Sequence, residues 1–288
     1  MNKNLKGTIF IIFATLFWGM SFVFMKEGGS LLDGFTFLFW RFFLATGILI
    51  FIFFKKIPLI NKRLIKIGFI LSIPLAITYG TQIVGLQYTL ASKSAFIVSL
   101  SVILVPIFLS IINKKLPSLN KTIAVIIATC GLAILTISGK FNFNQGDILS
   151  LLCAISFAVY IILLGKYTKK EDSALLTITQ LASITIITGL ISIFSGKISI
   201  PTGYTLWQAI LFTSIFATAL GYLIQTHYQK YISEIKTAII FAFEPVFGAI
   251  TAIFYLGESL TMRIILGGVL IFIALIISEV KIGKRVKS

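Results

Sequence analysis

The chain has 288 residues, of which 58% are hydrophobic and only 12% charged, and its mean hydropathy is +1.04. A soluble domain carries about 25% charged residues and a disordered chain is poor in apolar ones, so both classes are excluded and an integral membrane protein remains. The net charge of +16 fits the same class, because Lys and Arg collect in cytoplasmic loops; nucleic acid is excluded as a partner.

A spanning helix takes about 20 residues, so ten of them use about 200. The loops left over are too short for a soluble domain. In chain order the apolar runs are Gly7–Met25, Thr36–Phe54, Ile67–Gln87, Ala95–Ile112, Thr122–Ser138, Ile148–Leu164, Leu175–Phe194, Leu206–Thr226, Thr237–Leu256 and Ile264–Ser278. The first begins after Lys3 and Lys6 but has no small-residue cleavage site behind it, so it reads as a retained helix. Short basic or turn-forming strings separate the rest, among them Lys55-Lys56-Ile57-Pro58 and Lys169-Lys170-Glu171-Asp172. Cys130 and Cys153 both fall inside apolar runs, which gives no disulfide framework. Gly28-Gly29 reads as a turn and Gly267-Gly268 as a packing site.

Loop charge tests the count. With the N-terminus in the cytoplasm, alternate loops and tails collect 19 Lys and Arg inside and five outside, Arg41 being the one within a run. Such a bias supports ten spans with both termini cytoplasmic. Trp40 and Trp207 then fall at the outer interface, where indole rings are favoured.

The chain also matches itself. Displaced by 143 positions, Tyr88 meets Tyr231, Ala95 meets Ala238, Ile97 meets Ile240 and Leu132 meets Leu275. The first helices align at a slightly shorter displacement, Phe17-Trp18 against Ser156-Phe157. Five helices is an odd number, so the second half starts on the opposite side of the membrane. The expected fold is therefore all-α, ten transmembrane helices in two inverted five-helix repeats, residues 1–140 and 141–288. Secondary transporters recurrently use this architecture, with substrate near the midplane between the repeats.

Ionisable groups inside a membrane are costly and rare. Two lie clearly within these runs, Arg41 and Glu244. Glu244 precedes Pro245, which removes a backbone donor and opens the helix locally. A carboxyl there either picks up a proton or binds a substrate ammonium, or it pins the kink by bonding neighbouring helices. Arg41 stands a little more than one turn from the outer end of its run. It either snorkels to the surface or pairs with Glu244, Glu258 or a substrate. Pro106 and Pro245 are hinge candidates, about one turn apart under the 143-residue displacement. Residues at helical spacing mark candidate cavity faces: Thr78, Gln82 and Gly85, with Tyr79 bordering them; Ser156 and Tyr160; Thr218, Tyr222 and Gln225. Trp18, mid-helix and away from either interface, joins them. These groups suit a zwitterionic or weakly polar solute and offer cation–π contact; the same residues also serve interhelical hydrogen bonding. His227, the single histidine, falls at the cytoplasmic end of its run, and no metal or cofactor is expected.

The strings Phe17-Trp18-Gly19, Trp40-Arg41-Phe42, Tyr88-Thr89-Leu90-Ala91-Ser92, Glu244-Pro245-Val246-Phe247 and Leu256-Gly257-Glu258-Ser259-Leu260-Thr261 occur in order along the chain. By them the sequence resembles the drug/metabolite transporter superfamily, specifically its EamA-type exporters, over almost its whole length. The resemblance implies a bacterial cytoplasmic-membrane carrier that exports small polar metabolites, often amino acids or related compounds, from a cavity between two five-helix halves. Its partners would be a small-molecule substrate and the lipid bilayer, the chain itself being a monomer or weak homodimer. Efflux of amphiphilic drugs and metabolite uptake are the alternatives. A membrane enzyme lacks the clustered nucleophile, base or metal set it needs, and no channel filter is visible.

Overall fold

The computed structural model describes residues 2–89, 91–136, 144–256 and 261–279. Among these, eight helices are long and apolar enough to cross a membrane, and two shorter apolar helices complete a set of ten. In order they are α1 (Lys3–Leu31), α2 (Gly34–Ile52), α3 (Lys62–Gly85), α4 (Ala91–Ser99 and Ser101–Asn113), α5 (Leu119–Thr136), α6 (Gln145–Tyr167), α7 (Ser173–Phe194), α8 (Tyr204–Tyr228), α9 (Glu234–Phe241 and Glu244–Leu256) and α10 (Met262–Glu279). Helices are the expected solution, since the hydrocarbon offers backbone groups no water and each segment must satisfy its own. Hydroxyls do the same locally. Thr15, Thr78, Thr177, Thr185 and Thr213 each donate to the carbonyl four residues back.

Helix starts are set by caps. Asp33 accepts from the N–H groups of Phe35 and Thr36, and Asp172 from those of Ala174 and Leu175. The two aspartates and their donors are 139 residues apart, pair for pair. Each cap also takes a lysine from the loop that follows the other's helix: Asp33 lies 3.2 Å from Lys197, and Asp172 lies 2.8 Å from Lys56. The antiparallel α2–α7 pair is thus tied at both ends. Thr46 and Thr185, again 139 apart, share a hydrogen bond of 3.3 Å between them.

The helix contacts obey the same inversion. α3 packs on α6 and α7, while α8 packs on α1 and α2; α4 packs on α6, while α9 packs on α1. The α5–α10 and α2–α7 pairs map onto themselves. Gly131 and Gly267 bring α5 and α10 together: a Cβ on Gly267 would stand 2.7 Å from the Gly131 carbonyl and 2.6 Å from Leu135 Cβ. Among the described residues, these ion pairs and loop hydrogen bonds join loops of one parity. Lys56–Asp172, Arg63–Glu171, Lys169–Glu234 and Lys236–Asn4 gather on the face that carries the N-terminus, and Asp33–Lys197 and Trp40–Ser199 on the other.

Two helices are broken at matching points. In α4 the turn falls at Leu100, whose N–H reaches the Ile97 carbonyl while its own carbonyl accepts from Leu104. In α9 it falls at Ala242 and Phe243, where Phe243 N–H reaches Ile240 and Phe247 N–H reaches Phe243. These bonds correspond one for one at 143 residues. Pro245 lies just behind the α9 break, whereas Pro106 sits well inside the second α4 segment. The break positions are therefore symmetric even though the prolines are not.

One sequence expectation is corrected. Gly28 is no turn, because α1 continues to Leu31. A Cβ at Gly28 would meet Phe37 Cε2 at 2.6 Å and Ala209 at 2.9 Å, so this glycine admits α2 and α8 close to α1. Gly267 packs as expected.

Candidate functional site

Between the halves lies a cavity of about 40 Å³ lined by Trp18, Ser21, Phe22, Met25, Arg41, Thr78, Tyr79, Gln82, Val98, Phe157, Tyr222 and Glu244. That volume holds a few waters, far below the ~300 Å³ and upward of ordinary ligand sites. The cavity is narrow in this conformation.

Glu244 stands where α9 resumes, as the first residue of its second segment. A helix N-terminus carries partial positive charge and favours an acidic group. α1 approaches this point closely: a Cβ on Gly19 would lie 2.7 Å from the Glu244 carbonyl, so glycine is required for the fit. Among the described residues none donates a hydrogen bond to the Glu244 carboxylate.

Arg41 is 1% exposed and two turns inside α2, so it does not snorkel. Its Nε donates to Thr218 Oγ1 at 2.6 Å, and a guanidinium N–H approaches Met25 Sδ at 3.2 Å. Nη2 is 3.5 Å from the Tyr79 hydroxyl, and Cζ stands 4.9 Å from the Tyr79 ring centroid. Among the described residues no carboxylate oxygen lies within 4 Å of it. The proposed partner Glu258, like Lys140 and residues 280–288, lies outside the described residues. A guanidinium in this setting has its charge solvated by a hydroxyl, a thioether and π-faces, with donor capacity left over.

The two central tyrosines meet. Tyr79 of α3 and Tyr222 of α8, 143 residues apart, share a hydrogen bond of 2.7 Å between their hydroxyls. Trp18 Nε1 donates to the Ala217 carbonyl at 2.6 Å. That carbonyl belongs to a π-helical stretch, Thr213–Leu220, within α8; such wide turns recur at functional sites. Trp18 also packs on Phe157, Tyr222 and Phe241. Gln82 is 8% exposed, lines the cavity, and its side-chain amide has no hydrogen-bond partner among the described residues.

The cavity thus gathers Trp18, Arg41, Tyr79, Gln82, Tyr222 and Glu244 of the sequence candidates. It does not gather Ser156, Tyr160 or Gln225. The Tyr160 hydroxyl donates to Gln180 Oε1 at 3.2 Å, and Gln180 in turn donates to Thr226. Gln225 donates to Gln229, which donates to the Ile161 carbonyl. These form a second, buried network between α6, α7 and α8. Pro106 and Pro245 do not line the cavity. Ser21, Phe22, Met25 and Val98 do, and sequence reasoning missed them. Ser21 and Met25 lie three and seven residues after Trp18, so the helical period running on from that tryptophan carried the signal. His227 is exposed and packs edge-on against Tyr228 at 4.7 Å. Among the described residues no group of three His, Cys, Asp or Glu side chains gathers to hold a metal.

The chain matches the EamA-like transporter family twice, over residues 5–137 and 144–279. It is 31% identical over 281 residues to an uncharacterized transporter of Archaeoglobus fulgidus, covering 97% of this chain and 88% of that one. It is 26% identical to the uncharacterized transporter YyaM of Bacillus subtilis, covering 95% and 93% respectively. A solved crystal structure shares the fold at a TM-score of 0.80 and 13% identity, over 95% of this chain and 96% of that one.

Proposed function

Because the chain belongs to the EamA-like transporter family, within the drug/metabolite transporter superfamily, and is therefore a multi-pass membrane transporter, we propose that its cargo is a small zwitterionic metabolite, an amino acid or a close relative, exported across the bacterial cytoplasmic membrane. One observation carries this reading. Arg41 from the first half and Glu244 from the second line the same cavity without pairing with each other. An internal ion pair would cancel both charges; two separated, underused ones match a carboxylate and an ammonium on one molecule. Gln82 supplies an amide beside them, and Trp18, Phe157 and Tyr222 supply ring faces for the ammonium or side chain. Uniform chains of like charge, as in phosphorylated cargo, would meet one arginine and be opposed by Glu244.

Transport proceeds by alternating access around this site. The matched breaks in α4 and α9 give each half a point at which its outer and inner segments tilt independently. The narrow cavity opens toward one face when one half adopts the other's arrangement. Glu244, released from cargo, takes a proton, which couples the return step. Both termini are cytoplasmic in this scheme, as the loop-charge bias favours.

Counterflow in proteoliposomes tests the reading. Vesicles loaded with unlabelled amino acids should accelerate uptake of a labelled zwitterion; amines and carboxylic acids lacking the second charge should not. Glu244→Gln should abolish acceleration while the protein remains folded. Normal counterflow by Glu244→Gln at every pH would remove Glu244 from the site.

A further inference from the structure

The cavity is not the only concave surface. A groove of about 280 Å³ runs between α4 and α6 on the membrane-facing side, lined by Phe108, Ile111, Ile112, Val159, Ile162 and Leu163. Its lining is wholly apolar, and Ile111 and Ile112 are 69% and 63% exposed. The inverted repeat supplies an internal control. The equivalent surface lies between α9 and α1, where Ile112 corresponds to Tyr255 and Leu163 to Phe24. There the depression is plugged: Phe24 packs on Tyr255 at 5.5 Å and stacks on Phe212 at 4.2 Å between centroids. In the grooved half two aliphatic residues, Ile112 and Leu163, stand where the other half has this aromatic pair.

The two surfaces also differ in charge. Both walls of the groove end in lysine within about one turn, Lys114 and Lys115 beyond Ile112 and Lys166 beyond Leu163. All three are exposed, and among the described residues none has a carboxylate within 4 Å. At the plugged surface the sequence beyond Phe24 reads Lys26-Glu27, and beyond Tyr255 comes Glu258, so the sequence there carries acidic residues with one lysine instead of three lysines. Lys114 itself caps α4 in the left-handed region, φ 51, a position that glycine usually takes and where a side chain is strained. A lysine is kept where glycine fits better.

We propose that this groove is a binding site for one anionic phospholipid. An acyl chain lies along Phe108, Ile111, Val159 and Leu163, and the phosphate headgroup is held by Lys114, Lys115 and Lys166. Basic residues at the cytoplasmic edge of a helix pair are the chemistry that retains such lipids. Assignment to the inner leaflet rests on the proposed orientation. Binding to the detergent-solubilised chain does not, so failure of one is distinguishable from failure of the other.

The test is native mass spectrometry of the full chain in detergent, with phosphatidylglycerol and phosphatidylcholine of identical acyl chains in competition. One phosphatidylglycerol per chain should be retained with about tenfold preference. The triple variant Lys114→Gln, Lys115→Gln and Lys166→Gln should bring that preference to near unity. Ile112→Tyr with Leu163→Phe, which transplants the plug of the other half, should expel the lipid with all three lysines intact. Lys114→Gly separates site from scaffold: it should raise the melting temperature by relieving φ 51 and lower the preference at the same time. Equal retention of both lipids, meaning annular lipid only, overturns the proposal, as does a preference that survives the triple variant. The lysines are exposed, so those variants decide the matter even if the aromatic plug does not fold.

Discussion

The first and second halves of this chain share their caps, their helix breaks and their contacts, and differ at Trp18, Arg41 and Glu244 among the residues that face the cavity. At the corresponding place on α7, Arg41 of α2 has Gln180. Glu244, which opens the second segment of α9, has Ser101 in α4. Trp18 of α1 has Phe157 in α6. Arg41 and Glu244 thus have uncharged counterparts and Trp18 a phenylalanine, whereas Tyr79 with Tyr222 and Gln82 with Gln225 are identical pairs at 143 residues. The two halves share a scaffold whose geometry depends on backbone and small-residue packing, while each charge of the site stands in one half without a charged equivalent in the other. A consequence is visible at the carbonyls. Ala217 O in α8 accepts from Trp18, while its equivalent, Pro74 O in α3, faces a side without an indole and accepts from Thr78 instead.

The comparison is broken most severely where the halves meet. Gly267→Val places branched carbon against Leu135 and the Gly131 carbonyl in the tightest helix pair and should cost about 3 kcal/mol, read as a lower melting temperature in detergent. Arg41→Gln makes α2 resemble α7. It should cost about 2 kcal/mol in cargo binding, which is about thirtyfold in apparent Km, for carboxylate-bearing cargo in a vesicle assay. Gln180→Ala, in the buried network, should leave that Km alone; a matching rise would mean both halves bind cargo. Trp18→Phe makes α1 resemble α6 and leaves the Ala217 carbonyl without its indole donor, a loss of about 1 kcal/mol measurable by thermal melting. The smallest effect is at the capping ion pair of α7. Partial burial opposes charge on Asp172, but the hydrogen bond from Lys56 and the N–H groups of Leu175 and Ala174 outweigh it and hold its carboxyl below the ordinary 3.8. A lowered value means that the stabilisation is fully present above pH 3.8 and is lost as pH falls through the folded value. With Asp172 39% exposed, it is worth under about 1 kcal/mol. Asp172→Asn should flatten that acid limb in a melting series against pH.

Much of this was legible in the sequence because a membrane leaves few options. Apolar runs with basic separators gave the helices, and the 143-residue displacement gave the inversion. Trp18, Arg41, Tyr79, Gln82, Tyr222 and Glu244 were legible as polar or aromatic groups out of place in hydrocarbon. What failed to read was facing. Thr218 and Tyr222 share a face only if the helix turns every 3.6 residues, and the π-helical stretch Thr213–Leu220 changes that register between them, while Tyr222 and Gln225 both lie in the regular α-helix beyond it. Tyr222 reaches the cavity, Thr218 takes the Arg41 donor, and Gln225 turns to Gln229. The α4 break was invisible for a different reason. Leu100 carries no proline or glycine signal, and only its correspondence with Phe243 identifies the turn.

The matched breaks at Leu100 and Phe243 bear on the resting balance of the proposed cycle. If the two halves were identical, the inward-open and outward-open forms would be mirror exchanges of each other and equally populated, whatever their shared energy. Any resting preference for one side must then come from the unequal residues, and about 1.4 kcal/mol of such inequality shifts the populations tenfold. The same few substitutions that recognise the cargo therefore also set which way the empty protein faces.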